Sequence, residues 1–177
     1  MPGPLNAIAL AHGKVAYVAP NAAVTEDVEL HEDTNIWYSA SIRGDEAPIS
    51  VGRGTNVQDN AVLHCDPDVP LLIGPYVTIG HGAVIHCAKV GEMSLIGMGA
   101  VLLSGASIGP RSLVAAGALV TPGKKFEEGS LILGSPAKAV RKLTDDELNS
   151  LDQSWRHYVA LAKNSTSVKF IGGEDVS

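Results

Sequence analysis

Aliphatic side chains recur every six residues along most of the chain, and this period dominates its hydrophobic pattern. Predicted loops at residues 44–48 and 65–72 and one later step of five interrupt the series without ending it. Its members are Val18, Val24, Leu30, Ile36, Ile42, Val51, Val57, Leu63, Ile73, Ile79, Ile85, Val90, Ile96, Leu102, Ile108, Val114 and Val120. A step of six fits neither an amphipathic helix nor an alternating strand over this length. The chain is therefore predicted to be a repeat protein whose regular part ends at Val120.

A hexapeptide with one aliphatic residue is one short strand and a turn, and it buries that residue only by stacking on a copy of itself. Three such sides make a coil of about eighteen residues in a triangular parallel β-helix. The series predicts five to six coils, with the aliphatics pointing inward as ladders. A β-sandwich is the alternative, but it should show alternation and hairpin turns at wider spacing. We therefore expect an all-β domain over residues 1–142.

The C-terminal part changes character. Residues 121–143 predict a last, irregular coil with Gly and Pro turns, and a helix follows over residues 143–163. Thr144 and Glu147 form a capping box at its start. Its apolar stripe is Leu148, Leu151, Trp155, Tyr158, Val159 and Ala162, which we expect to pack on the β-helix. The tail, residues 164–177, is polar and expected to be loose.

Taking the sides of the triangle in order assigns the polar residues to positions. One ladder holds Ile42, Leu63, Ile85, Leu102 and Val120, and another holds Val57, Ile79, Ile96 and Val114. Arg43, His64 and His86 each follow a member of the first ladder by one, so stacking brings them roughly 5 Å apart, facing outward. Asp59 and His81 each follow a member of the second ladder by two. They should stack on one another across a different edge of the triangle.

This placement suggests a metal site. Three imidazoles with an open fourth position are a catalytic arrangement for zinc. His81 is not expected to reach His64 and His86 within one chain, but a trimer about an axis parallel to the β-helices would set it opposite the neighbour's pair. Plain polar surface is the alternative interpretation. His12, His31 and His157 lack this placement and are expected to be ordinary surface residues.

The two cysteines, Cys65 and Cys87, each follow a member of the first ladder by two. They could serve as soft metal ligands. Neighbouring strand residues point to opposite faces, however, so a cysteine beside an outward histidine should point inward. We therefore expect small buried hydrophobic residues.

Charge and the N-terminal sequence narrow the partners and the location. Nineteen acidic and thirteen basic side chains give a net charge of −6, without a block of like charge. Nucleic acid and anionic membranes are therefore not expected partners. The N-terminus has no basic start, and no stretch approaches about twenty uninterrupted apolar residues. We expect a cytoplasmic protein.

Several short motifs resemble those of the gamma-class carbonic anhydrases. They are SIRGDE at residues 41–46, NVQD at residues 56–59, and the pairs Leu63-His64, Gly80-His81 and Ile85-His86. The resemblance covers nearly the whole chain. It implies a homotrimer of left-handed β-helices, each with a C-terminal helix, and a metal between subunits. The segment GSPAK at residues 134–138 is shared with many hexapeptide acyltransferases.

The resemblance also implies roles for individual residues. His64 and His86 resemble the two metal ligands from one subunit, and His81 the ligand from its neighbour. Gln58 resembles the residue that orients the reacting water. Glu46 resembles an acidic residue of proton transfer, and Tyr158 a tyrosine near the metal.

Three further residues resemble parts of the family's subunit contact. Arg43 and Asp59 resemble an ion pair across the trimer interface, supported by Asp45. The best-studied branch of the family has a longer acidic loop after the first ligand histidine. Here that place holds only CDPDVP, with Asp66 and Asp68 as candidate substitutes for its proton-transfer glutamate.

The function that these observations predict is reversible hydration of carbon dioxide to bicarbonate by a carbonic anhydrase-like lyase. Zinc is the expected metal, and ferrous or cobalt ions also suit three imidazoles and water. Two alternatives stay open at this point. One is acyl transfer or thioester hydrolysis on coenzyme A, and the other is a non-catalytic, metal-bearing trimer that serves as an assembly component.

Overall fold

The structure is a computed structural model that describes residues 9–12, 14–86 and 88–165, with the backbone alone for residues 9–12. Cys87, the side chain of His12 and residues 166–177 of the predicted tail lie outside the described part. The predictions made for them therefore stay predictions.

The described residues include nineteen strands, most of them two or three residues long, and one helix follows them. The strands are β1 (Ala9–His12), β2 (Tyr17–Val18), β3 (Ala23–His31), β4 (Asn35–Ile36), β5 (Ser41–Val51), β6 (Asn56–Val57), β7 (Val62–His64), β8 (Leu71–Ile73), β9 (Thr78–Ile79), β10 (Val84–His86), β11 (Lys89–Val90), β12 (Leu95–Ile96), β13 (Val101–Leu102), β14 (Ser107–Ile108), β15 (Leu113–Val114), β16 (Leu119–Val120), β17 (Lys125–Phe126), β18 (Ser130–Gly134) and β19 (Ala137–Lys142), and the helix is α1 (Asp145–Asn164). Two-residue strands separated by turns are what a hexapeptide with one inward aliphatic requires.

The strands stack into three faces of a triangular coil. The histidine face consists of the start of β5 with β7, β10, β13 and β16. The helix face consists of β2, β4, β6, β9, β12, β15 and β18, and the third face of the end of β5 with β8, β11, β14 and β17. The fold is thus an all-β, left-handed parallel β-helix of about six turns with one C-terminal helix, which confirms the predicted fold class.

Both predicted ladders are confirmed by the strand register. Ile42, Leu63, Ile85, Leu102 and Val120 are paired in succession through the histidine face. Val57, Ile79, Ile96 and Val114 are paired in the same way through the helix face. All nine side chains are fully buried. The interruptions in the repeat therefore leave the assignment of faces unchanged.

Two details of the predicted repeat are wrong. The rhythm does not end at Val120, because Phe126 pairs with Ile108 and Ile132 with Val114 in continuation of two ladders. Nor are residues 44–48 a loop outside the repeat, because they lie within β5. Strand β3 pairs with β5 on both sides of this segment, with Glu26 beside Gly44 and Val28 beside Ile49, and the register shifts between these two pairs. The extra residues of β5 therefore lie between two paired stretches of the same strand.

Helix α1 packs on the helix face, against β4, β6 and β9. Thr144 and Glu147 form the predicted capping box, which satisfies two amide donors at the helix start. Leu151, Val159 and Ala162 of the predicted stripe are buried. No helix in the described part of the chain is long and apolar enough to span a membrane.

Candidate metal centre

His64 and His86 stack on the histidine face, as the ladder assignment predicted. Parallel pairing sets Arg43 beside His64 and His64 beside His86. The two imidazole rings are 5.3 Å apart between centroids, and Nδ1 of His64 is 3.3 Å from Nε2 of His86. Adjacent strands of the coil thus bring two ring nitrogens face to face.

Asp45 determines which nitrogen of His64 carries the proton. Nε2 of His64 lies 3.0 Å from Oδ1 of Asp45. An ionised carboxylate only accepts hydrogen bonds, so Nε2 of His64 must donate. In the neutral imidazole, Nδ1 then has the lone pair, and this is the nitrogen that faces His86.

A second carboxylate acts in the same way on His86, through a serine. Ser104 donates its hydroxyl proton to Oδ2 of Asp66 over 2.7 Å, and its oxygen lies 3.3 Å from Nδ1 of His86. Because that proton is committed to Asp66, the Ser104 oxygen accepts from Nδ1 of His86. The lone pair of neutral His86 therefore lies on Nε2, facing His64.

Two facing lone pairs repel one another unless a proton or a metal cation lies between them. The 3.3 Å separation of the His64 and His86 nitrogens suits such a cation. Two nitrogens bound to one tetrahedral zinc ion at the usual bond length lie about 3.4 Å apart. The donor set thus fits a divalent metal with imidazole ligands.

His81 lies at the corner between the helix face and the histidine face. Its Nδ1 is 2.7 Å from Oδ2 of Asp59, whose Oδ1 accepts from the backbone amide of Tyr38 over 3.2 Å. The predicted stacking of Asp59 and His81 is confirmed. Nδ1 of His81 is again the donor, so the lone pair lies on Nε2. Among the described residues of one chain, no three His, Cys, Asp or Glu side chains converge on a metal position.

Arg43 and Asp45 form an ion pair beside His64 within the chain. Loss of solvent raises the pKa of Asp45, but hydrogen bonds from His64 and Arg43 outweigh it and hold that pKa below its ordinary value. Asp59 contacts His81 and not Arg43 within one chain, so an Arg43–Asp59 pair between subunits stays a prediction. Glu46 is exposed, and its carbonyl accepts from the amide of Asp68 over 3.4 Å.

Gln58 and Tyr158 line a groove of about 360 Å³ between the helix face and α1. Nε2 of Gln58 donates to Oδ1 of Asn56 over 3.0 Å, and Nδ2 of Asn56 donates to the Thr78 hydroxyl over 3.0 Å. These two hydrogen bonds fix the orientation of the buried Gln58 side-chain amide. Tyr158 packs edge-on against Trp37, and burial, followed by the charge of Asp59, raises the pKa of Tyr158.

Two contributors to the site were missed from the sequence. The sequence marks Asn56 only as part of the NVQD motif, although its side chain accepts the hydrogen bond from Gln58. Ser104 lies in none of the motifs, and the signal for it is its position two residues after the ladder member Leu102, one coil beyond His86. His31 and His157 were predicted to be surface residues and Cys65 to be buried. His157 is exposed, His31 is partly exposed and Cys65 is buried, as predicted.

The stacked hexapeptides define the chain as a hexapeptide-repeat β-helix protein. A solved hexapeptide transferase family protein from Anaplasma phagocytophilum shares the fold, with a TM-score of 0.83 and 36% identity over 88% of this chain and 93% of that one. No family profile matches the sequence.

Curated relatives give a narrower assignment. A carbonic anhydrase from Geobacillus kaustophilus is 46% identical over 81% of this chain and 79% of its own length. Gamma carbonic anhydrase 2, a mitochondrial protein of Arabidopsis thaliana, is 43% identical over 85% of this chain, which spans only 56% of that protein. The chain belongs to the gamma carbonic anhydrase family.

Proposed function

We propose that this protein catalyses the reversible hydration of carbon dioxide to bicarbonate at a metal site shared between subunits of a homotrimer. The observation that carries the proposal is the pair of ring nitrogens of His64 and His86, 3.3 Å apart. The hydrogen-bond partners of the two rings leave the lone pair of each neutral imidazole on the nitrogen that faces the other ring. Carbonic anhydrase is the name of the Geobacillus relative. The donor set of this chain is the one that such chemistry needs.

The third ligand of the proposed site is His81 of a neighbouring subunit. Its Nε2 points away from Asp59, and its side chain is 41% exposed at the corner next to the histidine face. An apolar column runs beside His64 and His86 on the outer side of that face, formed by Val62, Val84, Val101 and Leu119 in register. Such an outward apolar column favours contact with another copy of the chain. Arg43 would then meet Asp59 of the neighbour.

Three neutral imidazoles would hold a zinc ion, or a ferrous or cobalt ion, which would supply the Lewis acidity for water to lose a proton near neutral pH. The chain's own residues provide orientation and proton export. Asn56 holds Nε2 of Gln58, so Oε1 of Gln58 is presented as the acceptor that orients the reacting water. Glu46 is exposed and suited to pass protons to solvent. Tyr158 borders the same groove as Gln58 and helps to exclude water from it.

Acyl transfer or thioester hydrolysis on coenzyme A is the second candidate, and the similarity to a solved hexapeptide transferase favours it. That chemistry needs one general-base histidine. It does not explain why each of three histidines has one ring nitrogen hydrogen-bonded to an acidic side chain, directly in two cases and through a serine in the third. A non-catalytic, metal-bearing trimer is the third candidate, and only activity distinguishes it from the first.

The remaining parts of the proposal concern location and partners. The proposed location is the cytoplasm, although three relatives from Arabidopsis thaliana are named as mitochondrial. Carbon dioxide and bicarbonate are the proposed substrates. The net charge of −6 gives no reason to add nucleic acid or an anionic membrane.

Stopped-flow carbon dioxide hydration tests the proposal. The protein is reloaded anaerobically with zinc, cobalt or ferrous ion, and its metal content is measured beside the rate. Activity should rise with metal occupancy and disappear in His64→Ala, whereas His31→Ala, a control on another part of the coil, should keep it. A fully loaded trimer without activity would favour the acyl-transfer or assembly roles instead.

A further inference from the structure

We propose that Ser104 and Asp66 are positioning residues for His86, which they hold with its proton on Nδ1 and its Nε2 directed at the metal position. The inference rests on the proposed metal site and deepens it. Asp66, in the short loop after His64, then has a structural role, because it acts on His86 through Ser104 and not as a catalytic group.

The geometry requires the serine as an intermediary. Oδ2 of Asp66 lies 3.8 Å from Nδ1 of His86, which is too long for a hydrogen bond. The Ser104 oxygen bridges the gap, 2.7 Å from Asp66 and 3.3 Å from His86. Asp45 contacts His64 and Asp59 contacts His81 directly, so all three histidines are oriented by an acidic side chain and only His86 needs a relay.

Both positioning residues are themselves held by the backbone. The loop that carries Asp66 is closed by a bridge between Asp66 and Val69, in which the Val69 amide donates to the Asp66 carbonyl over 3.1 Å. The carbonyl of Ser104 accepts from the amide of Gly123 in the next coil over 2.9 Å. Two separate coils therefore fix the positions of the carboxylate and the hydroxyl relative to His86.

The consequence lies in metal affinity. A ligand histidine whose second nitrogen is held by a fixed partner keeps one tautomer and one ring orientation, and loss of such a partner typically weakens metal binding about 10- to 100-fold. Ser104→Ala removes the acceptor for Nδ1 of His86 and leaves Asp66 too distant to replace it. Ser104→Thr keeps the hydroxyl and should restore most of the affinity.

Competition with a chelator on the intact trimer measures the zinc dissociation constant. We expect Ser104→Ala and Asp66→Ala each to raise it about tenfold or more, and the double variant to add little, because the two residues act in series. Ser107→Ala, which removes a half-buried serine on the third face, is the matched control and should leave the constant unchanged. Equal affinity in Ser104→Ala and wild type, or fully additive effects of the two substitutions, would overturn the inference.

Nitrogen-15 NMR of histidine-labelled, metal-free trimer gives a second, independent readout. His86 should show the Nδ1–H tautomer in the wild type and in Ser104→Thr, and a mixture of tautomers in Ser104→Ala. A wild-type His86 protonated on Nε2 would refute the inference even if zinc binds. If the wild type binds no metal, the proposed function fails, while the tautomer still decides whether Ser104 and Asp66 orient His86.

Discussion

The corner that carries His81 depends on the absence of a side chain at the preceding residue. A Cβ built on Gly80 would lie 2.8 Å from the backbone nitrogen of Met98 and 2.9 Å from the carbonyl oxygen of Ile96. These backbone atoms belong to the next coil and cannot rotate away. Gly80→Ala must therefore push two coils apart at the point where the Gly80 amide donates to the Ile96 carbonyl over 2.8 Å.

We expect Gly80→Ala to cost the upper part of the usual overpacking range, about 3 kcal/mol. For a chain of this size, that loss lowers the melting temperature by roughly 6–12 °C. Gly82→Ala is the matched control on the other side of His81. Gly82 has a φ of +67° and nothing within 4 Å of its built Cβ, so its substitution costs only backbone strain, about 1 kcal/mol after the gain from a less flexible unfolded chain.

Thermal unfolding followed by circular dichroism, at one protein concentration for all variants, measures the difference. Zinc binding by Gly80→Ala should also weaken, because His81 moves with the displaced corner. If Gly82→Ala destabilises the protein as much as Gly80→Ala, close coil packing at this corner does not determine the position of His81, and the steric reasoning is refuted.

Three further substitutions test the interface, the helix start and the extended ladder. Arg43→Ala should weaken the trimer, because it removes the proposed ion pair with Asp59 of the neighbour. An unchanged mass by light scattering at low protein concentration would count against that ion pair. Arg141 holds the pKa of Glu147 at about 2, so this carboxylate stabilises the fold above about pH 4.5, and its contribution is lost as the pH falls through about 2. Denaturation in Glu147→Gln should lack that acid-dependent component, and an identical pH profile would contradict the assignment. Ile132→Ala should lower the free energy of unfolding by about 2–5 kcal/mol, because it removes a core side chain. Leu133→Ala, at the exposed neighbouring residue, should lower it far less when both variants are unfolded with a chemical denaturant. Equal losses would contradict the position of Ile132 in the ladder.

Much of the fold could be predicted from the sequence because a β-helix has a simple correspondence between spacing and position. Once Leu63 and Ile85 are assigned to one ladder, the parallel register places His64 beside His86 without further information. The series of aliphatic residues ends at Val120 because the next position of the repeat holds Phe126, an aromatic residue, in place of an aliphatic one. Pattern recognition by residue type therefore ended earlier than the stacking does.

Contacts that depend on side-chain direction across coils could not be predicted in this way. Ser104 is thirty-eight residues from Asp66 in the chain, and their hydrogen bond depends on how the loop after His64 folds back. The tautomers of His64 and His86 likewise follow from the partners of each ring. Periodicity gives the strand on which a histidine lies, whereas its protonated nitrogen is determined by neighbours from other coils.

Complementation between two inactive variants tests most directly whether the site is shared between subunits. His64→Ala and His81→Ala, with different affinity tags, are assembled together, and trimers that carry both tags are isolated. In a ring of three subunits, each mixed trimer contains one interface with a complete set of ligands, so we predict about one zinc ion and about a third of the wild-type hydration rate per trimer. Mixed trimers with no more metal or activity than the two parent variants would contradict a site built from His64 and His86 of one subunit and His81 of the next.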